Sequence, residues 1–118
     1  MKYFISYARR NDRDVMVKIK EELLSKKHQV FTDQEIKDTE NNYEMKLEEY
    51  IESSDRFMIL MSPTSKNAKY VRAELKYADI HEILIEAVLI KGDNKTSIPL
   101  SLALNQYSDR RKEFDPNF

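Results

Sequence analysis

The chain has no cysteine, a single glycine and two histidines among its 118 residues. Without thiols there can be no disulfide, no cysteine nucleophile and no thiolate metal site. His28 and His81 are too few for a histidine-rich metal centre. The lone glycine, Gly92, rules out both a G-x-G-x-x-G dinucleotide fingerprint and a P-loop, since each needs several glycines to bring backbone against phosphate. An excess of one charge is also missing. With 20 basic and 21 acidic residues the net charge is -1, which leaves no global footprint for nucleic acid or for an anionic membrane. Nor is there a long apolar run. The strand-like segment after Met1 gives way almost at once to Ala8-Arg9-Arg10, too soon for a signal sequence or a membrane span. These absences lead to the expectation of a cytoplasmic domain with no metal, no nucleic-acid partner and no membrane partner.

What is present describes a folded domain. Hydrophobic residues make up 41% and charged residues 35%, the balance of a packed core under a heavily solvated surface. The length suits one domain. Two periodicities alternate along it. Tyr3 to Tyr7 is an apolar, β-favouring run, followed by Asn11 or Asp12 as helix caps and a stripe of Val15, Ile19 and Leu23 at helical spacing. Gln29 to Thr32 predicts a second strand, Asp33 to Asn42 a polar loop, and Tyr43, Leu47, Tyr50, Ile51 and Ser54 another helix. Arg56 to Met61 is apolar on both faces, as a strand in mid-sheet must be. A third helix is expected from about Ala68 to Ile80, a fourth strand from Ile83 to Ile90, a turn from Gly92 to Ser97, and a weak fifth strand near Leu104 to Ser108. Residues 1–109 then form the domain, and 110–118 a polar tail or the start of a linker. Alternating strands and helices predict right-handed crossovers and a parallel sheet covered on both faces, with ligands outside the carboxyl ends of the strands.

Several motifs stand in a recognisable order. Phe4-Ile5-Ser6-Tyr7, His28-Gln29-Val30-Phe31-Thr32-Asp33, Ser54-Asp55, Ser62-Pro63-Thr64-Ser65, Tyr70-Val71-Arg72-Ala73-Glu74 and Ile98-Pro99-Leu100-Ser101 span residues 3 to 109. Together they resemble a TIR (Toll/interleukin-1 receptor) domain of the bacterial, NAD-cleaving type. The resemblance implies a flavodoxin-like three-layer α/β sandwich, its five-stranded parallel sheet in the order 2-1-3-4-5. Departures are Tyr70 where the family usually has tryptophan, a loop Ile36 to Asn41 without the frequent Pro-Gly, and Glu86 in mid-strand.

Glu74 stands out even without the family. On a helical wheel it lies about 40° from Ala78 and about 60° from Val71, bordering the apolar face. None of Tyr70, Val71, Tyr77 and Ala78, its neighbours one turn away, is basic, so no helical ion pair accounts for it. A partly desolvated carboxylate beside the aromatic face of Tyr70 is a functional-site candidate with a tendency to a raised pKa. The other reading is a half-buried glutamate bonded to a loop amide or a distant lysine. The resemblance implies that Glu74 is catalytic, in an NAD+ glycohydrolase or cyclase that needs no cofactor because NAD+ is the substrate. It implies substrate contacts from Arg9 and Arg10 toward the pyrophosphate, from Tyr70 as a stacking platform, and from Phe31, Asp33 and Ser65. For the arginines the alternative is solvated surface; for Phe31 and Tyr70 it is packing. His28 reads as a surface residue.

Two relatives of the same architecture fail on chemistry. A phosphoreceiver needs acidic residues after the first strand and an aspartate ending the third, where Ser6-Tyr7 and Met61-Ser62 stand; a flavodoxin needs a Ser/Thr/Gly-rich loop in place of Ala8-Arg9-Arg10-Asn11. The functional alternative is a non-enzymatic TIR adaptor acting by homotypic association. In either case the resemblance implies self-association, with a sensor region downstream or in a companion protein, and a setting in antiphage defence.

Overall fold

The computed structural model describes residues 1–36 and 42–118. Five parallel strands, β1 (Lys2–Ser6), β2 (Gln29–Phe31), β3 (Arg56–Met61), β4 (Leu84–Leu89) and β5 (Tyr107–Asp109), form one sheet in the order β2-β1-β3-β4-β5. Order and parallel sense are those expected, and β3 has the expected bounds. Its neighbours are in register with it over Tyr3↔Arg56 to Ser6↔Ile59 and over Arg56↔Leu84 to Met61↔Leu89.

Side chains alternate across the sheet, so each face has its own core. On one face Tyr3, Ile5, Tyr7, Met58, Leu60, Val88 and Ile90 pack on Val15, Met16 and Ile19 of α1 (Arg13–Ser25). On the other, Phe4, Phe57, Ile59, Met61, Ala87 and Leu89 pack on Ile51 of α2 (Tyr43–Glu52) and on Val71, Leu75 and Ala78 of α4 (Lys69–Ile80). The short α3 (Pro63–Asn67) precedes α4, and α5 (Asn94–Ser97) with a 3-10 turn at Leu100–Leu102 connects β4 to β5. Among the described residues no helix is long and apolar enough to cross a membrane.

The scarcity of glycine leaves a mark on the helix ends. α1 and α4 both close with a Schellman motif: the His28 N–H donates to the Leu23 carbonyl and the Lys27 N–H to that of Leu24, and Ile83 and Glu82 repeat the pattern on Ala78 and Asp79. The residue in the left-handed position is usually glycine; here Lys27 has φ 67° and Glu82 φ 58°. Gly92, at φ 84°, stands where a Cβ would meet the Ser97 Oγ at 2.3 Å.

Several details differ from the expectations or add to them. Asp12 precedes α1 but its carboxylate does not cap it; it accepts from the Ser62 Oγ at 2.5 Å and from the Lys91 Nζ at 2.9 Å, tying α1 to the carboxyl ends of β3 and β4. The fifth strand is Tyr107–Asp109, later than Leu104 to Ser108, because it pairs only with the last half of β4, from Ala87 on. Glu86 lies one residue before that pairing begins, half-exposed in a shallow depression with Tyr3 and Arg56, which explains a carboxylate in this strand. Residues 110–118, expected as a polar tail or the start of a linker, have structure of their own. They carry α6 (Arg111–Phe114), whose Phe114 packs against the α1-side core. Arg110 grips both carboxylate oxygens of Glu22 at 2.8 Å, and Asp115 accepts from the Gly92 N–H at 2.9 Å. The loop expected from Asp33 to Asn42 opens with a 3-10 turn at Asp33–Glu35, and its Lys37 to Asn41 part lies outside the described residues.

Candidate functional site

Ser6 ends β1 on the face shared with Phe4, the face α4 covers. A hydroxyl on an otherwise apolar, buried surface needs a partner. It donates to the Glu74 Oε1 at 2.6 Å, and the carboxylate's other oxygen accepts from the Arg9 Nη2 at 3.1 Å. Glu74 is only 6% exposed. Burial raises its pKa above the ordinary carboxylate range, the Ser6 hydroxyl and the Arg9 cation pull against that rise, and Asp33 adds to it.

Arg9 is the hub. Its Nε lies 3.5 Å from the Asp33 Oδ2, its guanidinium carbon stands 4.3 Å from the centre of the Tyr70 ring, and its backbone N–H donates to the Tyr70 hydroxyl at 2.9 Å. Burial would lower its pKa, but Glu74, Tyr43, Asp33 and Tyr70 outweigh it and leave the guanidinium firmly charged. Tyr7, two positions before Arg9, donates its hydroxyl to the Asp33 Oδ1 at 2.6 Å. Burial first and the Asp33 carboxylate second push that phenol far above its usual range. Three segments distant in sequence, the β1 exit, the β2 exit and the first turns of α4, are thereby joined by charge and hydrogen bonds at the carboxyl ends of the strands, where open α/β sheets bind ligands.

Glu74 and Tyr70 also line a cleft of about 290 Å³ between α2 and α4, walled by Leu47, Ile51 and Tyr77 and edged by Glu44 and Glu48. That volume holds a ring and a sugar, less than a whole dinucleotide. No group of three or more histidine or carboxylate side chains is placed to hold a metal among the described residues.

The profile of the TIR domain family matches residues 4–118. The chain belongs to the TIR domain family. Among solved structures, the TIR domain of the Toll-related receptor TRR-2 from Hydra magnipapillata is similar at 22% identity with a TM-score of 0.78, over 91% of this chain and 82% of that one. The TIR domains of the activated Roq1 resistosome directly recognising the pathogen effector XopQ are similar at 21% identity with a TM-score of 0.64, over 75% of this chain and 56% of that one. At such identities these two establish the fold only. No curated protein sequence gives a match.

In this TIR domain four of the expected site residues, Glu74, Tyr70, Arg9 and Asp33, form one cluster. The others do not join it. Arg10 is exposed beside it. Phe31 stacks on Tyr50 with ring centres 4.6 Å apart and lies under the Lys2 ammonium, a packing position. Ser65 is buried in a capping box with Ser62, each backbone N–H donating to the other's hydroxyl, which fixes the start of α3. His28 lies at the rim by the amino terminus. The residue that sequence reasoning missed is Ser6. Alternation with Phe4 would have placed it on a buried face and so in need of a partner.

Proposed function

We propose that this TIR domain is an NAD+ nucleosidase with Glu74 as its catalytic carboxylate. The observation that carries the proposal is the buried glutamate itself, at the family's position, in a cleft edged by Tyr70 and paired with the Arg9 cation. In the reaction the C1′–N bond to nicotinamide breaks, its electron pair neutralises the pyridinium, and nicotinamide leaves as a neutral base needing no proton. One carboxylate therefore suffices, where an ordinary glycosidase needs two. The Glu74 anion, close to the ribose, orients its hydroxyls and offsets the positive charge that develops at C1′. Water then adds to C1′ and sheds a proton to give ADP-ribose, or a nucleophile within the same molecule closes a cyclic isomer. Tyr70 supplies a face for a ring. Arg9, now lying on that face and on Glu74, must swing away, and a pyrophosphate is the anion that would take it.

The cleft is small for the whole substrate, which favours completion of the site by a neighbouring copy and activation by self-assembly. A bacterial, cytoplasmic setting in antiphage defence, with a sensor downstream or in a companion protein, belongs to the same proposal. The adaptor reading draws support from the same cluster: a Glu74 held by Ser6 and Arg9 also has a purely structural use. The two part on turnover. Concentrated protein should release nicotinamide from NAD+ with a specific activity that rises with concentration, and Glu74→Ala should not; a folded, assembled wild type that leaves NAD+ intact would favour the adaptor.

A further inference from the structure

The cleft between α2 and α4 has a charge of its own. Among the described residues its lining carries the carboxylates of Glu44, Glu48 and Glu74 and no basic group. The remaining walls are the aromatic Tyr70 and Tyr77 and the aliphatic Leu47 and Ile51. Tyr77 is fixed there by its hydroxyl, which donates to the Glu52 Oε2 at 2.6 Å with Glu48 beside it. Ring faces and carboxylates both attract positive charge. A phosphate entering between these walls would meet like charge instead. The cleft therefore suits a cation with a flat, apolar body.

The chain already supplies one such cation. The Arg9 guanidinium is planar and delocalised. It lies 4.3 Å from the centre of the Tyr70 ring and donates to the Glu74 Oε2 at 3.1 Å. One aromatic face and one carboxylate oxygen are what a cationic ring needs at this end of the cleft. The Arg9 side chain is partly exposed, and Asp33 stands ready 3.5 Å from its Nε, so the guanidinium can leave without opening the core. The Tyr70 hydroxyl is held by the Arg9 backbone N–H, so the ring keeps its place when the side chain goes. We propose that the cleft is a seat for planar aromatic cations of the N-alkylpyridinium class, and that Arg9 is their resident competitor. The proposal rests on the nucleosidase reading above and names the ring its site selects. The pyridinium enters between the acidic walls while the pyrophosphate stays outside them. A ring bearing a carboxylate is repelled, and an uncharged dihydropyridine gains nothing from the walls. In the resting domain Arg9 limits binding by occupying the contacts the substrate needs.

The test is an NMR titration with N-methylnicotinamidium, which has the cationic ring but no ribose, no phosphate and no glycosidic bond to cleave. Its readout is binding, so its failure is distinguishable from failure of the enzyme reading, which is judged on turnover of NAD+. Arg9→Ala should bind the probe at least about tenfold more tightly than wild type, with shifts at Tyr70 and Tyr77. Arg9→Lys keeps a charge for Glu74 but loses the flat face, and should show an intermediate gain. Neutral nicotinamide should gain little from either substitution. In the Arg9→Ala background, Glu44→Gln with Glu48→Gln should weaken binding of the cation and leave that of neutral nicotinamide unchanged. The spectra themselves show that each variant is folded. Arg9 variants that bind the cation no better than wild type, or a cleft that binds neutral and cationic rings alike, would overturn the proposal.

Discussion

Removing Arg9 leaves the Glu74 carboxylate buried with only the Ser6 hydroxyl. Deleting one partner of a fully buried ion pair costs about 3–5 kcal/mol, much of it the stranded charge. The Arg9 side chain is 32% exposed, and water entering its place recovers part of that cost. Halving for solvent screening gives about 2 kcal/mol, with about 0.5 kcal/mol more for the lost cation–π contact with Tyr70. For urea slopes of about 1–3 kcal/mol per molar, Arg9→Ala should lower the midpoint at pH 7 by about 1 M, followed by far-UV circular dichroism. In a Glu74→Gln background the same substitution should cost well under half as much, since no stranded charge remains. The pH dependence has a definite sign. The folded-state pKa of Glu74 is raised, so its contribution to stability is present below the unfolded value and lost as pH rises through the folded one. Without the Arg9 cation the rise is larger. The cost of Arg9→Ala should accordingly be greatest at neutral pH and above, and shrink on acidification as Glu74 takes up its proton. Equal costs in the two backgrounds, or a cost that does not change with pH, would refute the view of Arg9 as the counter-charge of Glu74.

Two further outcomes follow from the fold. Lys27→Gly should raise stability by about 1 kcal/mol, since glycine occupies the left-handed position closing α1 without the Cβ penalty; thermal unfolding that shows no gain would place strain elsewhere. Phe114→Ala should destabilise by about 2 kcal/mol, less than for a fully buried phenylalanine because Phe114 is half-buried; an unchanged denaturation midpoint would mean that α6 contributes nothing to the core.

Much of the architecture could be read from the chain, because β3 is apolar on both faces and α4 carries its apolar residues at strict helical spacing. The weak points share a cause. Tyr107, Ser108 and Asp109 are all exposed, so β5 has no hydrophobic pattern to announce it and is held by its ladder to β4. Asp12 has the chemistry of a helix cap, yet a buried serine and a partly exposed lysine from the far ends of β3 and β4 offer its carboxylate better partners. The tail is polar by composition, but Phe114, Arg110 and Asp115 suffice to fasten it. At the site, the wheel identified Glu74 as lacking a local cation, and its cation comes from Arg9, 65 residues earlier in the chain. No local pattern encodes such a pairing; only the parallel topology, which puts the β1 exit beside the start of α4, does so. Ser65, by contrast, carried its motif into a structural use, capping α3.

The most direct measurement is nicotinamide release from NAD+ by concentrated wild type and by Glu74→Gln, an isostere that keeps the shape of the side chain and removes its charge. Loss of release in the variant, with circular dichroism and sedimentation unchanged, is the expected result. Release at the wild-type rate from Glu74→Gln would contradict the assignment of the reaction to this carboxylate.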